Sequence, residues 1–367
     1  MTTPLTIVQV VPALDVGGVE RGTVELAIHL QQQGHRSVVV SNGGELVTQL
    51  EAHGVTHIKL PVGRKALRTF LLVSKLKKII QEQQADVVHA RSRLPAWLCY
   101  FALRMIGSQR PHFVTTLHGM HSVKTYSSIM ARGDAVIAVS QCAKQYLQNH
   151  YARHLKSAPQ VIYRGVGSEF KFQHQPNTQW LERFNKKLNC EPGTQLVLLP
   201  GRVTAVKGVE NLLPWLVSCK TPVRLLLTGM PDASAHTQRL ATAFQKYGVD
   251  KRVSWIGTIR QMPDLYAAVD LVVSCNNQAE SFGRAVLEAL SVGTPVVGYD
   301  MGGVAEVMQQ IFPQGLVPAG DQQKLADKMN EFLLKPPPMQ AQQQFSNAKM
   351  FAEVMAVYQS LVRGTND

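Results

Sequence analysis

From Thr6 onward, short apolar runs alternate with longer amphipathic stretches. The runs at 6–11, 37–41, 56–60, 87–89, 113–116 and 135–139 are mostly continuous rather than alternating, the pattern of parallel strands covered on both faces. Between them, 20–33 and 94–106 carry helical spacing, and Gly34 and Gly107 supply the stops. The pattern breaks over the polar stretch 168–178, then restarts with apolar runs at 196–199, 224–227, 253–256, 271–274 and 295–299. This predicts an α/β chain of two doubly wound, Rossmann-like domains, divided within 165–190 and drawn as 1–170 and 171–344. After Lys335-Pro336-Pro337-Pro338, a final helix starting within 339–345 and ending near 363–365 can cross back onto the first domain. Ligands of such folds sit at the carboxyl ends of the strands, so the two domains are expected to face each other across a ligand-holding cleft.

Composition narrows the choice. The 367 residues exceed one ordinary core, which makes two domains the default. No apolar stretch approaches the roughly twenty residues a membrane span requires. The first residues lack a basic region followed by an apolar core, so no secretory signal is expected, and a cytoplasmic location follows. Five scattered cysteines, without zinc spacing, read as reduced buried thiols. No metal-binding histidine frame and no Asp-x-Asp pair is present. The net charge of +13 favours an anionic partner: nucleic acid, an acidic membrane surface or a phosphate-bearing substrate.

The candidate chemistry lies at strand ends. After the first strand, Gly17-Gly18-Val19-Glu20 places two glycines before a helix, where backbone amides can approach a phosphate or simply make a turn. Pro200-Gly201-Arg202 through Lys207-Gly208 sets a guanidinium and an ammonium five residues apart in a strand-to-helix loop, able to clamp a diphosphate without metal. In Glu280-Ser281-Phe282-Gly283-Arg284-Ala285-Val286-Leu287-Glu288, seven residues separate two glutamates, and a glycine precedes a helix start. The first carboxylate can accept from sugar hydroxyls and the second from a ribose, while the helix start suits an anion. Thr116-Leu117-His118-Gly119 ends a first-domain strand with a histidine able to hydrogen-bond a sugar hydroxyl. Gly302-Gly303 forms a further glycine pair at a helix start.

In this order, over nearly the whole chain, these elements resemble the retaining glycosyltransferases of family 4, which have the GT-B fold and are found among enzymes of bacterial lipopolysaccharide and envelope polysaccharide assembly. The resemblance implies transfer of a sugar from a nucleotide-diphosphate donor, a UDP- or GDP-sugar, to a glycolipid or saccharide acceptor, with retained configuration and no metal or other cofactor. Arg202 and Lys207 then match the diphosphate pair, Glu288 the ribose ligand, Glu280 the carboxylate near the donor sugar, and His118 the histidine contacting that sugar. Ser281, Phe282 and Gly283 would meet the donor, the last two through backbone N–H groups. Gly17 and Gly18 would meet its phosphate, and Ile259 lies in the segment that holds the base. The expected mechanism is front-face attack with the departing phosphate taking the acceptor proton; a covalent intermediate on Glu280 is the alternative.

The first domain is strongly basic. The run 64–80 reads as one helix, with Arg64, Arg68, Lys75 and Lys78 on one side and an apolar stripe beside them. It can lie on an anionic lipid surface at the inner face of the inner membrane, or serve as an ordinary surface helix. Arg91, Arg93, His121 and Lys124 are candidates for holding the acceptor. A nucleic-acid partner is not expected, because no recognised module is visible. A GT-B sugar-nucleotide epimerase and a non-catalytic basic surface-binding protein are the competing readings.

Overall fold

In the computed structural model, which describes residues 3–15, 17–64, 66–229 and 234–364, every expected strand forms. Val16 of the first glycine loop and Lys65 of the basic run lie outside the described residues. The chain divides into two compact units. One runs up to Tyr163 and takes up the chain again from Ala348; the other is Arg164–Asn347.

The first unit is built from β1 (Thr6–Val10), α1 (Gly18–Gln32), β2 (Arg36–Ser41), α2 (Val47–Ala52), β3 (Thr56–Lys59), α3 (Leu72–Glu82), β4 (Val87–Ala90), α4 (Arg93–Ile106), β5 (His112–Leu117), β6 (Ala135–Ala138), α5 (Gln141–Tyr151) and β7 (Gln160–Val161). Its sheet is parallel, with order β3-β2-β1-β4-β5-β6-β7. The central strands are continuous apolar runs because helices cover both faces, and Ile7, Val8 and Val10 are fully buried. The polar exception, Gln9, donates its side-chain amide to the Thr23 carbonyl on α1 at 3.2 Å.

The second unit repeats the plan with α6 (Thr178–Leu188), β8 (Gln195–Leu199), α7 (Leu213–Ser218), β9 (Val223–Leu227), α8 (Ala235–Lys246), β10 (Val253–Trp255), α9 (Met262–Ala267), β11 (Leu271–Ser274), α10 (Arg284–Val292), β12 (Val296–Tyr299), α11 (Gly302–Ile311), β13 (Leu316–Val317) and α12 (Gln322–Leu334). Its parallel sheet has the order β10-β9-β8-β11-β12-β13. The last helix, α13 (Asn347–Arg363), belongs to the first unit. It seals that unit's sheet by burying Met350, Phe351, Val354, Val357 and Tyr358 against Leu5, Ile7, Val114 and Ile137.

Two expectations about helices need correction. The basic run is not one helix: a 3-10 turn at Leu67–Leu71 precedes α3. Thr69 Oγ1 donates to the Arg64 carbonyl at 2.6 Å, a local bond that competes with α-helical pairing. The apolar stripe of α3 is core, with Val73, Leu76 and Ile80 buried. The final helix starts only at Asn347. Just before it, the Phe345 carbonyl accepts from Val166 N at 3.2 Å, and Ser346 forms an isolated parallel bridge with Val166. Among the described residues, no helix is long and apolar enough to cross a membrane.

Candidate functional site

In the second unit, the strand order reverses between β8 and β11, the place where a doubly wound sheet opens a crevice at its carboxyl edge. The loop after β8 begins with Gly201 at φ +108° and continues through exposed Arg202 to a 3-10 turn, Ala205–Lys207. Gly208 follows at φ +64°, where an added Cβ would lie 2.2 Å from the Cys275 carbonyl oxygen. Only glycine lets this loop approach the end of β11 so closely.

The segment after β11 holds the loop in place. Asn277 N donates to the Val206 carbonyl at 2.8 Å, and its side-chain amide donates to the Ala205 carbonyl and to Glu210 Oε1, each at 2.8 Å. Asn211 Nδ2 donates to the Cys275 carbonyl at 2.9 Å. These bonds bring Lys207 Nζ to 3.3 Å from Glu280 Oε2, which also accepts from Asn276 Nδ2 at 2.8 Å. Lys207, Glu280, Asn276 and Ala285 line one small recess. Sequence patterning carries no sign of Asn211, whereas the pair Asn276-Asn277 directly after a strand is a readable signal.

The glycine pair Gly302-Gly303 has a packing role. Gly303 N donates to the Glu280 carbonyl at 2.7 Å, and a Cβ on Gly303 would sit 2.4 Å from Phe282 Cα. The 280–283 loop therefore rests on the start of α11, and Gly283, at φ +85°, caps α10. Ser281 is buried, and the Phe282 ring packs in the core, 6.0 Å edge-on from Phe345. One turn along α10, Glu288 accepts from Arg284 Nε at 2.7 Å and from the buried Tyr266 hydroxyl at 3.2 Å. Burial first, and the Glu288 charge second, push the Tyr266 phenol well above its usual range, so it stays a donor. Ile259 is half-buried in the irregular segment after β10.

The first unit repeats this geometry. Its strand order reverses between β1 and β4, and a pocket of about 400 Å³ opens at the strand ends, lined by Glu20, Arg91, Arg93, His118 and His121 among others. Gly17 is the extended N-cap of α1, and a Cβ there would meet Glu20 Oε2 at 2.1 Å; Gly18, beside it, is exposed. Arg91 is 6% exposed, and its buried Nε has no hydrogen-bond partner. Behind it, His89 is held between the Tyr358 hydroxyl at 2.6 Å and Thr116 Oγ1 at 2.7 Å. Burial, then the Arg91 charge, lower the His89 pKa well below its usual value and keep the ring neutral. Burial, then Arg93, also lower the His121 pKa. Arg93 donates to Ser127 Oγ at 3.1 Å and lies over the Tyr126 ring. Lys124 is not part of this pocket; its backbone N donates to the Tyr151 hydroxyl at 3.2 Å. Of the sequence candidates, the structure thus groups Lys207 with Glu280, and Arg91 and Arg93 with His118 and His121.

Known proteins show the same two-part organisation. Residues 16–170 match the model of the family described as Glycosyltransferase Family 4, and residues 182–350 match that of Glycosyl transferases group 1. The chain is 25% identical over 335 residues to the N-acetyl-alpha-D-glucosaminyl L-malate synthase of Bacillus anthracis, covering 87% of this chain and 85% of that one. It is 28% identical over 296 residues to the lipopolysaccharide core biosynthesis mannosyltransferase LpsB of Rhizobium meliloti, covering 76% and 80%. A glycosyltransferase crystal structure from Rickettsia africae superposes with a TM-score of 0.78 at 28% identity, over 98% of this chain and 99% of that one.

Proposed function

Because the chain belongs to the GT-B glycosyltransferases of family 4 type, with a group 1 carboxyl-terminal domain, we propose that it transfers a hexose from a nucleoside diphosphate sugar to an anionic envelope acceptor, with retention and without metal. The observation that carries this reading is the Lys207–Glu280–Asn276 cluster at the switch point of the second sheet. Breaking the bond between sugar and phosphate builds negative charge on the departing diphosphate. Lys207, Arg202 and the start of α10 supply fixed positive charge there, the work a metal does elsewhere. Glu288, oriented by Arg284 and Tyr266, retains lone pairs for a ribose hydroxyl. Ser281, Phe282 and Gly283 border the donor through the loop that α11 supports, and Ile259 lies in the segment assigned to the base.

Glu280 Oε2 is committed to Lys207 and Asn276, which supports an electrostatic role beside the sugar over a nucleophilic one. Front-face attack then follows, with a diphosphate oxygen taking the acceptor proton as the glycosidic bond to the acceptor oxygen forms. In the first unit, His118 offers its ring to a sugar hydroxyl, and Gly17 and Gly18 border the phosphate. Arg91 and Arg93 give the acceptor pocket its charge, which suits a phosphate or carboxylate. One relative is named as a synthase of an L-malate glycoside, a dicarboxylic acid of the kind such a pocket suits, and another as a mannosyltransferase of lipopolysaccharide core biosynthesis.

The test is a thermal-shift titration with UDP-, GDP- and ADP-sugars in EDTA. One nucleotide family is expected to raise the transition by an amount that grows with the logarithm of its concentration over its dissociation constant, and Arg202→Ala to abolish the shift. No shift with any donor overturns the reading.

A further inference from the structure

A second pocket of the first unit, about 360 Å³, has no part in the chemistry above. It lies at the opposite end of the sheet, where Arg110 precedes β5 and Asp134 precedes β6. Its walls carry Arg104, Arg110, Arg132, Arg153 and Lys156, against one carboxylate, Asp134. Asp134 is taken up by Arg110, at 2.6 and 2.8 Å, and by Lys156 at 2.6 Å. Among the described residues, no carboxylate pairs Arg104, Arg132 or Arg153. Arg132 is held by aromatic rings instead, its guanidinium carbon 5.5 Å from the Trp97 ring centre and 5.7 Å from that of Tyr100, with a buried Nε that makes no hydrogen bond. A fixed, unpaired guanidinium fork is the group that binds phosphate oxygens in pairs.

The surface beside the pocket is apolar. Trp97 stacks on Phe101 at 5.5 Å, and Phe101 meets Phe70 edge-on at 6.1 Å. Exposure decides how this ridge is read: Leu71 is 76% exposed, Met105 50%, Phe70 41% and Phe101 37%. Four large apolar side chains in water, next to unmatched arginines, match an interface that is greasy on one side and anionic on the other. A free phosphate would use the arginines and leave the ridge without purpose.

We propose that this face docks the protein on an anionic phospholipid bilayer, with a headgroup phosphate among Arg104, Arg132 and Arg153 and with Phe70, Leu71, Phe101 and Met105 at the acyl boundary. The docking elements are the 3-10 turn and the last turns of α4, whereas the apolar stripe of α3 is spent in the core. At 14 residues, α4 spans about 21 Å, from Arg93 in the acceptor pocket to Arg104 and Met105 on the docking face. The proposal is independent of the transferase reading, since none of these residues belongs to the donor or acceptor sites.

The full chain should co-sediment with vesicles containing phosphatidylglycerol and not with phosphatidylcholine alone, and binding should fall as salt is raised. Arg104→Glu with Arg153→Glu should reduce the bound fraction at least tenfold, and Leu71→Ser with Phe101→Ser should remove the binding that survives in salt. Lys75→Glu with Lys78→Glu, which reverses the same number of exposed charges on α3, should change it little. Unaltered thermal midpoints of the variants guard against misfolding. Equal loss in the α3 variant would show diffuse attraction by net charge and overturn the site. So would glycerol 3-phosphate stabilisation that Arg104→Glu with Arg153→Glu abolishes, without vesicle binding, because the pocket would then serve a soluble phosphate.

Discussion

A carboxylate that answers two cations and a backbone amide behaves differently from one on a solvated face. Asp134 is such a group: Arg110 grips both oxygens, Lys156 one, and Phe113 N donates at 2.7 Å. Burial opposes its charge, but the bonds from Arg110, Lys156 and Phe113 outweigh that and hold its pKa far below the ordinary carboxylate range. A pKa lowered by folding contributes stability above the unfolded value of about 4, and that contribution is lost as pH falls toward the folded value. Asp134→Asn should therefore cost about 2 kcal/mol at pH 7, with the gap from the native protein narrowing at pH 3. Urea midpoints at the two pH values measure this, and an equal gap at both would sink the account. The sequence exposes some residues at this scale and hides others. Lys207 and Glu280, which the structure brings to 3.3 Å, stand out in the sequence because charged side chains at the ends of apolar runs have few structural uses. Asn211 does not, because an asparagine's value here lies in which carbonyl it reaches, in this case Cys275 O. Lys124 shows the converse, a cation close in sequence to His118 that does not enter its pocket.

Elements were legible where burial is two-sided and ambiguous where it is not. Strands β1, β8 and β11 came out of the sequence within a residue or two, since their apolar runs are uninterrupted. The two-residue edge strands β7 and β13 carry no such signal. The run before α3 kept helical spacing, yet Thr69 diverted its backbone into a 3-10 turn. The amphipathic pattern of α13 marks a helix but does not name the sheet that receives it. That assignment rests on its apolar stripe and on Tyr358, whose hydroxyl meets His89 Nδ1 under the middle of the first sheet. Tyr358→Phe keeps the ring and strips a neutral, fully buried imidazole of one partner. The expected cost is about 1–3 kcal/mol in chemical denaturation, the range for a buried polar atom left unsatisfied. A change within about 0.5 kcal/mol would mean that α13 is held by its apolar contacts alone.

For the whole molecule, the charge sum is readable from the sequence and its placement is not. The net +13 announces an anionic partner. Arg104, Arg110, Arg132, Arg153 and Lys156 nevertheless come from separate stretches of chain, and only the fold gathers them. Division of labour follows the same logic. Every proposed diphosphate and ribose ligand of the second sheet lies within Arg164–Asn347, whereas His89 and Tyr358 belong to the other unit. Each unit has its own sheet and core, so each can unfold as its own transition in calorimetry. A ligand that binds one native unit stabilises that unit by mass action, about 2.7 kcal/mol at a hundred times its dissociation constant. The nucleotide sugar selected in the EDTA titration should therefore raise chiefly the transition of Arg164–Asn347, where the charged diphosphate and ribose ligands lie, and only weakly the other, to which His118, Gly17 and Gly18 belong; Tyr358→Phe should lower that other transition and leave the larger donor-induced shift intact. If the donor instead raised chiefly the transition that Tyr358→Phe lowers, donor binding would belong to the first unit. The Lys207–Glu280 cluster would then lose its assigned role.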